Sequence, residues 1–159
     1  MTDQTSMAEA IAQQRKTISE LETPVIQVWD GILALPIVGS IDTARAQEMN
    51  EALLTRIVET GSEIVLLDIT AVPVVDTAVA RHLLETVTAA RLLGADVLIV
   101  GLSARTAMTM VQLGLDLSGV TTRVSMAKGL ALAFARLGLE VVSRPGGPAR
   151  LGEMDGGAT

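Results

Sequence analysis

Residues 63–100 read EIVLLDITAVPVVDTAVARHLLETVTAARLLGADVLIV, and their hydrophobic period changes twice. The opening run EIVLLDI is continuously apolar apart from its acidic residues, the pattern of a strand buried on both faces. From Asp76 the period lengthens: Val79, Leu83, Val87 and Ala90 recur at steps of three and four and line one side of a helix. Asp76 stands where an N-cap belongs and Gly94 just beyond the last turn. DVLIV, residues 96–100, is then a second buried strand. Strand, helix and strand in this order make a parallel pair joined by a crossover.

The same alternation extends in both directions. Upstream, Ala46, Met49, Leu53 and Ile57 share one helical face between an N-cap candidate, Asp42, and a C-terminal Gly61. Before them VIQVW and ILALPIV flank Asp30-Gly31, the signal of a two-residue hairpin. Pro36 inside the second run calls for an edge position or a bulge, because it has no N–H for the ladder. Downstream, Ser103 caps a short helix that stops at Gly114, GVTTRV (119–124) forms a last short strand, and Ser125 caps a helix with Leu130, Phe134 and Leu137 inward. The expected fold is α/β: a mixed, mostly parallel sheet opened by a β-hairpin and flanked by helices. The hairpin's first strand is an edge, open to pairing or covered by the N-terminal segment.

The ends differ from this middle. In residues 1–22 Met7, Ile11, Gln14, Ile18 and Leu21 alternate by four and three, a heptad seam expected to form a short helical arm that needs a partner. Thr23-Pro24 ends it. Residues 143–159, SRPGGPARLGEMDGGAT, are Gly- and Pro-rich and expected to be disordered. The domain itself is expected over residues 23–142.

Composition narrows the chemistry. The 159 residues are 49% hydrophobic and 19% charged, which suits a packed core rather than a disordered chain. A net charge of −6 opposes binding to phosphate backbones, and one Trp, one Phe and no Tyr leave no platform for stacked bases. No nucleic-acid partner is expected. With no Cys and one His, thiolate catalysis, disulfides and the usual zinc sites have no ligands. No uncharged apolar run reaches the ~18 residues of a membrane helix, and the N-terminus lacks a signal-peptide core, so a cytoplasmic location is expected. Phosphate-cradling glycine loops and the G-x-S-x-G elbow are absent, so neither cofactor nor catalytic residue is assigned. His82, the one candidate base, falls mid-helix beside inward positions, as a boundary histidine does.

Two features of DITAVPVVDT (68–77) bear on function. Asp68 is expected to end a buried strand at its carboxyl end, where open α/β sheets place functional groups. It resembles the phospho-accepting aspartate of receiver domains, but the acidic pair that would hold Mg²⁺ is missing from the opening strands, and Lys128 lies in the last helix rather than after the last strand. The second feature is Asp76-Thr77. Thr77 opens a helix, where a phosphate would meet the positive end of the dipole. Arg81 follows on the same face, and Asp76 opposes a phosphate by like charge.

Three blocks, TPVIQVWDGILALPIVGSIDTARAQ (23–47), LLDITAVPVVDTAVARHLL (66–84) and AARLLGADVLIVGLSARTAMTMVQLGLDLSGVTTRVSMAKGL (89–130), closely resemble STAS domains, the anti-anti-sigma-factor domains, and within them the stressosome scaffold and co-antagonist proteins. The resemblance implies a non-enzymatic phospho-switch with a regulated threonine at Thr77 and a second at Thr109, for which Thr106 is the rival. Asp76, Arg81 and Asp68 are expected to form the surroundings of the phosphosite. It implies a GHKL-type serine/threonine kinase or anti-sigma factor as partner, a PP2C-type phosphatase, other STAS proteins, and a homodimer or larger assembly. Co-antagonists usually carry a folded N-terminal sensor domain; here a stand-alone co-antagonist is expected, with the heptad arm replacing the usual dimerising linker. Two alternatives stand beside the switch: a static self-assembling STAS scaffold, and a receiver-like phospho-aspartate domain.

Overall fold

The computed structural model describes Met7, residues 24–115 and residues 117–145. The heptad arm, apart from Met7, and the tail from residue 146 lie outside the described residues.

The described fold opens with β1 (Ile26–Trp29) and β2 (Ile32–Val38), antiparallel neighbours joined at Asp30-Gly31. Gly31 takes φ 87°, the left-handed geometry that this tight turn demands. Three crossovers follow: α1 (Thr43–Thr60) to β3 (Ile64–Ala71), α2 (Thr77–Leu92) to β4 (Asp96–Val100), and α3 (Ala104–Gln112) to β5 (Thr121–Arg123). The chain then turns into α4 (Met126–Arg136). The sheet order is β1-β2-β3-β4-β5, antiparallel at the first pair and parallel thereafter. Each crossover moves the chain one strand further in the same direction, so crossovers of one hand put their helices on one face.

Side-chain alternation distributes the core over the two faces. Leu33, Leu35, Val65, Leu67, Val97 and Ile99 point toward α1 and α2, against Met49, Leu53, Leu83 and Val87. Ile32, Ala34, Leu66, Leu98 and Val100 point the other way, toward α4. Burial on both faces explains why these strands read as unbroken apolar runs.

The expected caps are present. Asp42, Asp76, Ser103 and Ser125 are the N-caps of the four described helices, each accepting from a backbone N–H three residues on. Pro36 does not lie in an edge strand. β2 is interior, and proline is accommodated because β1 pairs no further along β2 than Ala34 while the β2–β3 register shifts between Pro36 and Val38. Asp68 does not end its strand, which continues to Ala71. The last strand is shorter than 119–124, because Val120 N–H bonds to Leu117 O in a turn and Gly119 O accepts from Arg91. In α4 the fully buried positions are Gly129 and Ala133, with Leu130, Phe134 and Leu137 packed half-buried around them. The helix lies too close to Val100 for anything larger than hydrogen at residue 129.

Candidate functional site

The carboxyl ends of β3 and β4 are adjacent and in register, Asp68 opposite Val100, so the loops they feed share one rim of the sheet. The first loop, residues 72–76, is pinned from below: Val72 and Val75 are buried while Val74 is 66% exposed. Asp76 then adopts extended backbone and caps α2. Its Oδ1 accepts from Val79 N–H at 2.9 Å, and its carbonyl from Ala80 N–H at 2.9 Å. Among the described residues the N–H groups of Thr77 and Ala78 have no acceptor. Those are two of the donors that every helix start leaves over. Thr77, exposed, is the first helical residue, so its hydroxyl stands beside both donors at the positive end of a 16-residue helix.

Arg81 is exposed one turn further on, at the spacing that lets a long side chain reach back to residue 77. It makes no hydrogen bond or ion pair among the described residues. His82 is half-buried, its Nδ1 3.8 Å from Glu85 Oε2.

The second loop leads into α3. Ser103 Oγ accepts from Thr106 N–H at 3.1 Å and donates to Thr106 Oγ1 at 2.9 Å, so Thr106 belongs to the cap. Thr109 is half-buried one turn later and donates its hydroxyl to Arg105 O at 3.0 Å. Met110 is the one fully buried residue of α3, while Met108 and Val111 are 59% and 72% exposed. This helix is therefore the least anchored of the four described.

The Asp68 carboxylate is engaged at its own strand. Asp68 Oδ1 accepts from Thr70 N–H at 2.9 Å and from Thr70 Oγ1 at 2.6 Å, tying down the strand end. Gly101, on the neighbouring loop, packs directly onto this pair. Thr70 and Gly101 were not singled out by motif. The signal for Thr70 is the Asp-x-Thr spacing of a side-chain turn at a strand end. Among the described residues no three His, Cys, Asp or Glu side chains converge to hold a metal ion. The receiver-like alternative fails on topology, since that fold has strand order 2-1-3-4-5 and this sheet runs 1-2-3-4-5 with an antiparallel opening pair.

Among the described residues, a mixed sheet opened by a hairpin, with three helices on one face and one on the other, and an exposed threonine at the start of the helix after the third strand define a class of small α/β domain. Residues 23–128 match the STAS domain, and the chain belongs to that family. It is 41% identical over 138 residues to the RsbT co-antagonist protein RsbRA of Bacillus subtilis, covering 87% of this chain and 50% of that protein. Among solved structures, an RsbS variant of Moorella thermoacetica with a serine-to-glutamate substitution superposes with a TM-score of 0.64 at 30% identity, over 74% of this chain and 98% of that one. A structure of the stressosome, described as a signal integration and transduction hub, superposes at 0.58 and 30% identity, over 72% of this chain and 98% of that one. The chain spans about half the length of the curated relatives it matches. No helix among the described residues is long and apolar enough to cross a membrane.

Proposed function

We propose that this chain is a non-enzymatic phospho-switch of stressosome type, a co-antagonist that binds a GHKL-type serine/threonine kinase or anti-sigma factor and is controlled at Thr77, with Thr109 as a second site. The observation that carries this function is the exposed Thr77 hydroxyl beside two unspent N–H donors at the mouth of α2. In the step itself the γ-phosphoryl group of ATP passes to Thr77 Oγ1, the bond to ADP breaks, and the hydroxyl proton goes to a base of the kinase or to water. The product adds about −1.5 to −2 charges at pH 7. Arg81, exposed one turn on, would meet them and Asp76 would oppose them, so the modified surface would differ in charge from the one a partner first docks on. A PP2C-type phosphatase reverses the step. The relatives named as RsbT co-antagonists support the choice of partner. The cytoplasm is the compartment in which such a kinase would be met.

Incubation with an RsbT-type kinase and ATP, followed by phosphosite mapping, tests the switch. Phosphate is expected on Thr77, with Thr109 modified more slowly because its hydroxyl is half-buried and bonded to its own helix. Absence of label from both threonines sinks it.

The outer edge of β1, unpaired among the described residues and with Ile26 and Trp29 47% and 53% exposed, favours a second reading: a static scaffold that assembles through that edge with other STAS proteins or further copies of itself. Equal partner affinity for Thr77→Ala and Thr77→Glu would select the scaffold over the switch.

A further inference from the structure

We propose that Thr70, Asp68 and Gly101 form a latch that couples the backbone leading to Thr77 with the start of α3, so that a change at Thr77 is felt along the Thr109 helix. The proposal deepens the function just proposed and rests on its assignment of Thr77 and Thr109.

Asp68 Oδ1 accepts hydrogen bonds from both the N–H and the hydroxyl of Thr70, which fixes the threonine rotamer. With its proton committed to Asp68, the Thr70 oxygen is packed against Gly101. A Cβ at residue 101 would lie 2.6 Å from Thr70 N and 2.8 Å from Asp68 Oδ1, and closer still to Thr70 Oγ1. Gly101 also has φ +83°, which L side chains rarely adopt. Glycine is therefore required twice over, by space and by backbone.

The position of this contact gives it its role. Thr70 is followed by the loop that ends in the Asp76 cap, and Gly101 by the two residues that end in the Ser103 cap. Beyond the latch, the second loop is tied back to the sheet by a long contact, Leu102 N–H to Arg123 O at 3.5 Å. Helix α3, with Met110 its one fully buried residue, has little else to hold it in register. Movement of residues 71–76 under a new charge or a docked partner pulls on Thr70, and the segment that yields is the one seated on Thr70, not the deeply packed α1 or α4. Thr70 and Asp68 are positioning residues that act through the two caps.

Amide hydrogen exchange on the full chain, read by mass spectrometry, tests this without any kinase. In the unsubstituted protein Thr77→Glu should change exchange across residues 102–112 by twofold or more. Thr70→Val should raise basal exchange there severalfold, leave α1 and α4 unchanged, and abolish the response to Thr77→Glu. Thr70→Ser, which keeps the hydroxyl, should restore it. The latch is overturned if Thr77→Glu leaves 102–112 unaltered, if Thr70→Val does not loosen them, if Thr70→Ser fails to rescue, or if loosening extends over the whole domain. Since no kinase takes part, failure of the latch and failure of Thr77 as a phosphosite are read in separate experiments.

Discussion

Asp76 has two separable effects at the mouth of α2, and a small set of variants pulls them apart. Its Oδ1 closes on Val79 N–H at 2.9 Å, a well-formed N-cap bond. Its charge stands next to the residue proposed to carry phosphate. Asp76→Ala removes both effects, and Asp76→Asn removes only the charge, since asparagine caps about as well. The cap is worth about 1 kcal/mol, so Asp76→Ala should lower Tm by roughly 2–8 °C for a domain of this size. Asp76→Asn should stay within a few tenths of a kcal/mol of the parent. The charge is read through Thr77→Glu. A carboxylate there gains about 0.3–1 kcal/mol from the helix dipole. At a separation on the order of 6 Å in water it loses roughly 0.7 kcal/mol to Asp76. The two nearly cancel, so Thr77→Glu alone should be close to neutral, while in the Asp76→Asn background it should stabilise by about 0.5 kcal/mol. Thermal melts of the four proteins at about 50 mM and about 0.5 M salt complete the cycle, and the coupling should shrink at the higher salt as the Debye length contracts. If Asp76→Asn costs as much as Asp76→Ala, the uncharged amide does not replace the cap and the separation fails. If the coupling is absent at low salt, or indifferent to salt, the electrostatic account of Thr77 is wrong.

Two further substitutions probe the frame that holds the rim. Gly129→Ala places a methyl group against Val100 Cγ1 and 3.3 Å from Leu66 Cδ2; overpacking of about 1–3 kcal/mol should outweigh the ~1 kcal/mol gain in helix propensity, giving a lower urea midpoint with little change in slope. A midpoint at or above the parent's would show that α4 can lift off the sheet. Thr86→Val removes the buried hydroxyl that donates to Asn50 Oδ1 and joins α1 to α2, and should cost about 1–2 kcal/mol by chemical denaturation; no measurable loss would mean that water replaces the bond.

The fold was legible where a single physical requirement dominates a residue. The period change at Asp76, the caps at Asp42, Ser103 and Ser125, and the Asp30-Gly31 turn are local chemistry, and the structure has each where the sequence puts it. Pro36 was harder, because its accommodation depends on where a neighbouring strand stops and not on its own strand. Asp68 was legible as a polar group near a strand end, but its partner was not. Whether its carboxylate is spent on Thr70 or held out toward solvent depends on the close approach of Gly101, thirty-three residues away in the chain. In α4 the apolar positions Leu130, Phe134 and Leu137 drew attention by their size, yet Gly129 marks the nearest approach to the sheet. Thr77 was visible as an N1 threonine and its exposure is plain, whereas the partial burial of Thr109 depends on how α3 lies on its neighbours.

Trp29 meets Phe134 edge-to-face, with ring centroids 5.5 Å apart and planes at 84°. These are the sole tryptophan and the sole phenylalanine in a chain without tyrosine. Ultraviolet emission from this molecule therefore comes from one half-exposed indole on the outermost strand, with no second fluorophore to blur it. The protein carries its own dye at the edge proposed for assembly, and titrations can be followed there without attaching a label.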